Sequence, residues 1–208
     1  MKLSSTAVYG LRASLIASHY PMQSGEPEEL TTFDLYSNEP RKEDLARAIR
    51  LGNTPNGAGH DNYMNGIIVQ FNMTAPVKIW TESDRYHFLD FVSSQSTIHR
   101  IQKMEFNNPD KSFEVYTDDV MINRAIELQE RYNANPTHEN FLVLIHSVPV
   151  GTLLTARMTT NYRQLKTIYA QRCYHILPEW HDFCDWVKTL PYAVELGVCG
   201  KQNSDDKN

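Results

Sequence analysis

Between Gly66 and Thr74 the chain reads GIIVQFNMT, with Ile67, Val69, Phe71 and Met73 on one parity and Ile68, Gln70, Asn72 and Thr74 on the other. That period of two predicts a strand with one buried face. Ala75-Pro76 closes it, because proline lacks a ladder donor and turns the residue before it away from helical backbone. A helix is predicted to begin at Thr81, a possible N-cap with the acidic Asp84 three positions on. It would carry Arg85, Leu89, Val92 and Ser96 on roughly one face. The short hydroxyl side chains of Ser93-Ser94-Gln95-Ser96 compete for backbone hydrogen bonds, so the helix is expected to open there. Its serines and the Gln95 amide then either meet a polar ligand or are the solvated half of an amphipathic helix.

The remaining patterning predicts alternating strands and helices. Val8-Tyr9-Gly10 reads as a first strand entering a turn, with Arg12 either a solvated charge beside it or a ligand contact. Gln23–Glu29 is a polar loop, and Arg41–Leu51 is a helix with Leu45, Ile49 and Ala48 inward. Asn107–Asp110 is a turn, followed by helices over Asp118–Asn133 and His138–Val148, the latter stopped by Pro149. Thr152–Met158 is strand-like. Asn161 can cap a helix over Asn161–Gln171 with Gln164 in the reciprocal position. Pro178–Leu190 is a last helix whose Trp180, Phe183, Cys184 and Val187 read as core.

A chain of 208 residues with 41% apolar residues can bury a full core, and it suits one domain over residues 1–200 with a polar, disordered tail at 201–208. The net charge of −5 argues against a nucleic-acid-coating surface, although a mononucleotide site needs only a few local cations. Cys173, Cys184 and Cys199 form no CxxC pair, which favours a reducing, cytoplasmic setting and no structural metal. No stretch has a signal-peptide core or the roughly 20 apolar residues of a membrane span. The glycine-rich loop Gly52–His60, GNTPNGAGH, could bring backbone N–H groups to a phosphate, but it lacks both common nucleotide-binding glycine patterns.

Asn161–Gln171 is the second stretch with chemical content, and Arg172 is its candidate. Asn161, Leu165, Ile168 and Arg172 fall on one helical face, so the two apolar residues anchor a face whose polar ends lie about 16 Å apart. An arginine so held presents a fixed fork of donors, suited to the two carbonyls of a pyrimidine, or else it closes an ion pair with Glu179 or Asp182.

These segments together resemble the flavin-dependent thymidylate synthases, ThyX, whose signature is R-H-R-x-x-S-x-N-E-x-S-x-R after a strand and Ala-Pro. Arg85 falls on its first arginine, Tyr86 and His87 replace the next two basic residues, and Asp90 replaces the first serine. Ser94-Gln95 stands for Asn-Glu, Ser96 for the later serine, and Arg100, or His99, for the last arginine. The second family motif, N-x-R-S-L-x-x-F-x-x-x-R, is matched by Asn161, Arg163, Leu165 and Arg172 in the run Asn161-Tyr162-Arg163-Gln164-Leu165 to Arg172, with Gln164 at its serine position. His175 stands near a family histidine, and Ile145 with His146 replaces a phosphate-binding arginine.

The resemblance implies an α+β fold with a central, mostly antiparallel sheet flanked by helices. It implies reductive methylation of dUMP to dTMP with FAD, NADPH and methylenetetrahydrofolate, in a homotetramer whose sites are shared. It assigns Arg172 and Ser96 to catalysis and Gln95, Ser96, Arg100 and Arg172 to dUMP. Flavin contacts fall on His60, Arg85, His87, Asn161, Arg163 and His175. It requires no cysteine nucleophile, and the substituted signature admits a homologue that binds flavin or a pyrimidine nucleotide with a different substrate or without catalysis.

Overall fold

In the computed structural model, which describes residues 1–54 and 58–200, the chain runs β1 (Lys2–Tyr9), α1 (Leu11–Ala17), α2 (Thr32–Tyr36), α3 (Lys42–Gly52), β2 (Ile68–Pro76), α4 (Val77–Ser83), β3 (Asp90–Ser94), α5 (Thr97–Arg100), α6 (Pro109–Ser112), α7 (Asp119–Ala134), α8 (His138–His146), β4 (Leu153–Asn161), α9 (Tyr162–Arg172) and α10 (Pro178–Lys188). The strands form one antiparallel sheet in the order β1-β2-β4-β3, an α+β fold as the sequence predicts. The alternation that marks β2 is real burial: Ile67, Val69, Phe71, Met73 and Ala75 are all fully buried, and the intervening side chains are half-buried. β2 pairs with β4 in one register. Tyr162 N donates to Ile67 O at 3.0 Å, Val77 N donates to Thr152 O at 3.1 Å, and the hydroxyls of Thr74 and Thr155 meet at 2.8 Å.

The described residues divide into two compact units. The first comprises Met1–Lys2, Asn72–Arg85 and Phe91–Arg157. Its core gathers Ile101, Met104, Phe106, Phe113, Ile122, Ala125, Leu128 and Leu144, so α7 buries the 3.6-period stripe that its sequence displays. The buried Gln129 amide donates to the carbonyls of Ile101 at 2.7 Å and Met104 at 2.9 Å, which satisfies a turn that has no ladder partner. The second unit comprises Leu3–Phe71, Tyr86–Asp90 and the chain from Met158 onward. There Phe71 packs against Trp186 at 4.4 Å and Phe183 at 6.2 Å, and Trp180 and Phe183 are fully buried, so the aromatics of α10 are core as predicted. Gly10 joins β1 to α1 at φ +71°, and a Cβ there would lie 2.6 Å from the Gly66 carbonyl oxygen.

Two expectations are corrected. The helix predicted to begin at Thr81 and continue toward Ser96 is instead α4, which starts at Val77 and ends at Ser83; Asp90–Ser94 is the strand β3, exposed along its whole length. Phe88 at φ +61° cannot continue a right-handed helix, and Gln95 N donates to Thr155 O at 2.9 Å, so pairing at the sheet edge wins over local propensity. Arg12 is not a solvated edge charge. Its Nε donates to Asp34 at 2.6 Å, Nη1 donates to the Glu39 carbonyl at 2.7 Å, and its guanidinium lies 4.9 Å from the centre of the Phe33 ring. Part of the glycine-rich loop, residues 55–57, and the tail at 201–208 lie outside the described residues.

Asp34 organises the segment that leads into α3. It accepts from the Thr31 hydroxyl at 2.6 Å in a capping box at the start of α2, and its other oxygen accepts from Arg12 and, at 3.3 Å, from Arg41. The Thr31 hydroxyl and the Arg12 guanidinium hold its carboxyl well below the usual range. A depressed folded pKa gives stability that is present above the ordinary aspartate value of about 4 and is lost as pH falls through the folded one. The urea midpoint of the native protein should therefore fall between about pH 5 and about pH 2 by more than that of Asp34→Asn, and parallel curves would remove Asp34 from the acid response.

Candidate functional site

The helix α9 is built as its sequence requires. The Asn161 side chain accepts from Gln164 N at 2.8 Å, and Leu165 and Ile168 are fully buried, so Arg172 leaves the last turn from an anchored face. Its Nε donates to the Tyr86 hydroxyl at 2.7 Å, and the guanidinium lies 4.6 Å from the centre of the Trp180 ring and 5.5 Å from that of Tyr86. The Tyr86 hydroxyl in turn donates to Gln171 Oε1 at 3.0 Å. His175 stands edge-on to Trp180 at 6.5 Å, and its Nδ1 accepts from Leu177 N at 3.2 Å. The second unit thus brings Arg172 and His175 together around Trp180 and adds Tyr86, which sequence reasoning passed over as a mere substitution. Nothing in local spacing links residues 86 and 172.

A second cluster lies at the start of the same helix. Lys166, buried, donates to the Gly52 carbonyl at 2.8 Å and to Asp61 Oδ2 at 2.9 Å. Asp61 Oδ1 takes no hydrogen bond among the described residues and lies 3.5 Å from Arg163 Nε. Gly52 is obligatory here because a Cβ would lie 2.1 Å from the Leu196 carbonyl oxygen. His60, next in sequence to Asp61, is exposed and lines a cavity of about 570 Å³ with Leu51, Asn62 and Tyr63. The Tyr63 hydroxyl donates to the Ala48 carbonyl at 2.8 Å, and burial pushes its phenol pKa up. Asp61 and Lys166 went unnoticed in the sequence because Lys166 lies off the face that carries Leu165, Ile168 and Arg172.

In the first unit, Gln95 is fastened to β4: its backbone N–H donates to Thr155 O, and its side-chain oxygen accepts from Thr155 N at 3.0 Å and from Arg100 Nη1. Ser96 sits before α5 and accepts from Arg100 N at 3.1 Å through its carbonyl. Arg85 is exposed just after α4, and His87, in the second unit, is exposed as well. The cysteines are free thiols. Burial pushes Cys184 up to about 12 and Cys199 up to about 11, which keeps both protonated at neutral pH. Among the described residues no group of histidine, cysteine and carboxylate side chains could hold a metal ion, and no helix is long and apolar enough to cross a membrane.

The buried pair at Asp61 gives a stability test. Asp61→Ala leaves the Lys166 ammonium without its counter-charge and should cost about 3–5 kcal/mol by urea unfolding, whereas replacing both by apolar residues of similar volume should recover most of the loss. A single-variant cost within about 0.5 kcal/mol of zero would show that the pair is not buried in solution.

No protein-family model and no curated protein matches the sequence. The three-dimensional structure does find counterparts. Two solved structures of the flavin-dependent thymidylate synthase ThyX from Helicobacter pylori, each with FAD and dUMP, superpose with a TM-score of 0.71 and 15% identity over 97% of this chain and 100% of theirs. A UMP/dUMP methylase, PolB, from Streptomyces cacaoi, bound with 5-Br dUMP, superposes with a TM-score of 0.61 and 14% identity over 96% of this chain and 95% of its own. At that identity the likeness establishes the shared fold: this chain has the ThyX fold along nearly its whole length.

Proposed function

We propose that this protein is a flavin-dependent methylase of pyrimidine nucleotides, which converts dUMP to dTMP with methylenetetrahydrofolate as carbon donor and NADPH as the source of reducing equivalents. The observation that carries this reading is the end-to-end fold likeness to chains solved with FAD and dUMP. In this reading Arg172 donates to the pyrimidine carbonyls, as an anchored guanidinium with a fixed fork can. Gln95, Ser96 and Arg100 bind the rest of the nucleotide, and Ser96 shares the catalytic role with Arg172.

The flavin contacts fall on His60, Arg85, His87, Asn161, Arg163 and His175. His60, Arg85 and His87 are exposed donors or cations, and Arg163 is partly exposed beside a buried carboxylate oxygen that takes no hydrogen bond among the described residues. That donor set suits the pyrophosphate and polar ring edge of FAD. When bound, FAD would supply the hydride chemistry, and the chain would orient the substrate and exclude water. Asn161 uses its side-chain oxygen to cap α9, so it holds the site's scaffold as well. The complete site belongs to a homotetramer with shared residues; the apolar side chains of Phe91 and Val92, exposed on β3, support an edge that meets another copy.

A second reading has its own support. Tyr86 and His87 occupy basic positions of the signature, and Tyr86 is turned onto Arg172. That favours a flavin- or pyrimidine-nucleotide-binding protein with a different substrate, or one without turnover.

The test is the visible spectrum of the purified protein with added FAD, followed by dUMP-dependent oxidation of the reduced flavin. Bound flavin with dUMP-dependent oxidation supports the methylase. Bound flavin or dUMP without it supports the second reading, and binding of neither overturns both. Arg172→Ala should lower dUMP affinity by about 10- to 100-fold, the loss of a charged hydrogen-bond donor, and leave the circular dichroism spectrum unchanged.

A further inference from the structure

We propose that Tyr86 is a positioning residue that sets the direction of the Arg172 guanidinium and thereby the fit of the pyrimidine ring. This rests on the assignment of Arg172 to the pyrimidine and goes beyond it by naming the group that aims it. A long arginine side chain at the last turn of a helix loses rotamer entropy when it is fixed, so something must hold it. Trp180 provides a rigid floor: it is fully buried and packs against Phe183 at 5.7 Å.

A ring beneath a guanidinium fixes its distance and leaves rotation in its own plane open. The Tyr86 hydroxyl restrains that rotation by accepting from Nε at 2.7 Å. Its own hydrogen is committed to Gln171 Oε1 at 3.0 Å, which turns an oxygen lone pair toward Arg172. Both partners of the hydroxyl are consecutive residues of α9, so Tyr86 clamps the end of the helix and the arginine together. Tyr86 is itself held by its ring edge on Trp180, 6.1 Å between centres, and by the turn in which Phe88 adopts φ +61°. The residue that breaks the signature therefore orients the arginine of the second motif.

Tyr86→Phe keeps the ring and removes only the hydroxyl. In the full-length protein, calorimetric titration with dUMP and with deoxyribose 5-phosphate separates contacts to the base from contacts to the sugar phosphate. The dUMP dissociation constant should rise about tenfold in Tyr86→Phe, one hydrogen bond to a charged donor, while deoxyribose 5-phosphate binding stays as in the native protein. Nitrogen-15 spectra give a second readout without any ligand. The Arg172 Nε–H signal, identified by its loss in Arg172→Lys, should exchange slowly with water in the native protein and much faster in Tyr86→Phe.

Equal weakening of both ligands would mean a general structural defect, and unchanged Nε–H exchange would mean that the hydroxyl does not hold the guanidinium; either overturns the proposal. Native protein that binds no dUMP but keeps the exchange difference would remove the pyrimidine assignment and leave the positioning of Arg172 standing.

Discussion

The pairing of β2 with β4 is the interaction on which the placement of both candidate motifs depends. Backbone hydrogen bonds at each end, Tyr162 to Ile67 and Val77 to Thr152, set a register in which the alternating apolar face of β2 is buried along its whole length. A slip of one residue would turn Val69, Phe71 and Met73 to the opposite face, so the register is specified as strongly as the core itself. Each strand then delivers a helix at its end: Pro76 closes β2 and α4 follows directly, while Asn161 closes β4 and caps α9. The two sequence stretches richest in polar chemistry are those that leave this pair of strands.

Within the second unit, two cationic side chains enter the interior by pairing with a carboxylate and a carbonyl rather than by exposure. Lys166 is buried because a carbonyl and a carboxylate meet its ammonium within 2.9 Å, and Arg12 is nearly buried because Asp34 and a carbonyl meet its guanidinium. Arg172 is held in another manner, beside two aromatic rings and with its Nε donating to the Tyr86 hydroxyl. The first two arrangements weld loops to helices. The third keeps a cation oriented near a surface.

The comparison with solved structures bears on the same point. A fold shared end to end at about 15% identity rests on burial patterns that many sequences can satisfy, and it does not by itself fix a function. The contact of Tyr86 with Arg172, 86 positions away, is one that the shared fold alone does not dictate.

Much of the architecture was legible in the sequence because it depends on local periodicity. The period of two at Ile67–Met73, the apolar stripe Ile122, Ala125 and Leu128, the Asn161 cap and the core face of α10 are each properties of a few neighbouring residues. Residues 81–96 were misread because the competing structure is not local. Phe91 and Val92 become strand only when β4 offers its backbone, and the left-handed Phe88 ends helical geometry before it. The partners of Arg12, Lys166 and Arg172 likewise lie 22, 105 and 86 positions away, and hydrogen bonds between side chains so separated leave no periodic trace. The sequence by itself determined the apolar faces of β2, α7 and α10 and where helix α9 begins. Only the tertiary structure decided which charges are paired and where Arg172 is aimed, because those depend on side chains brought together by the sheet and not by the chain.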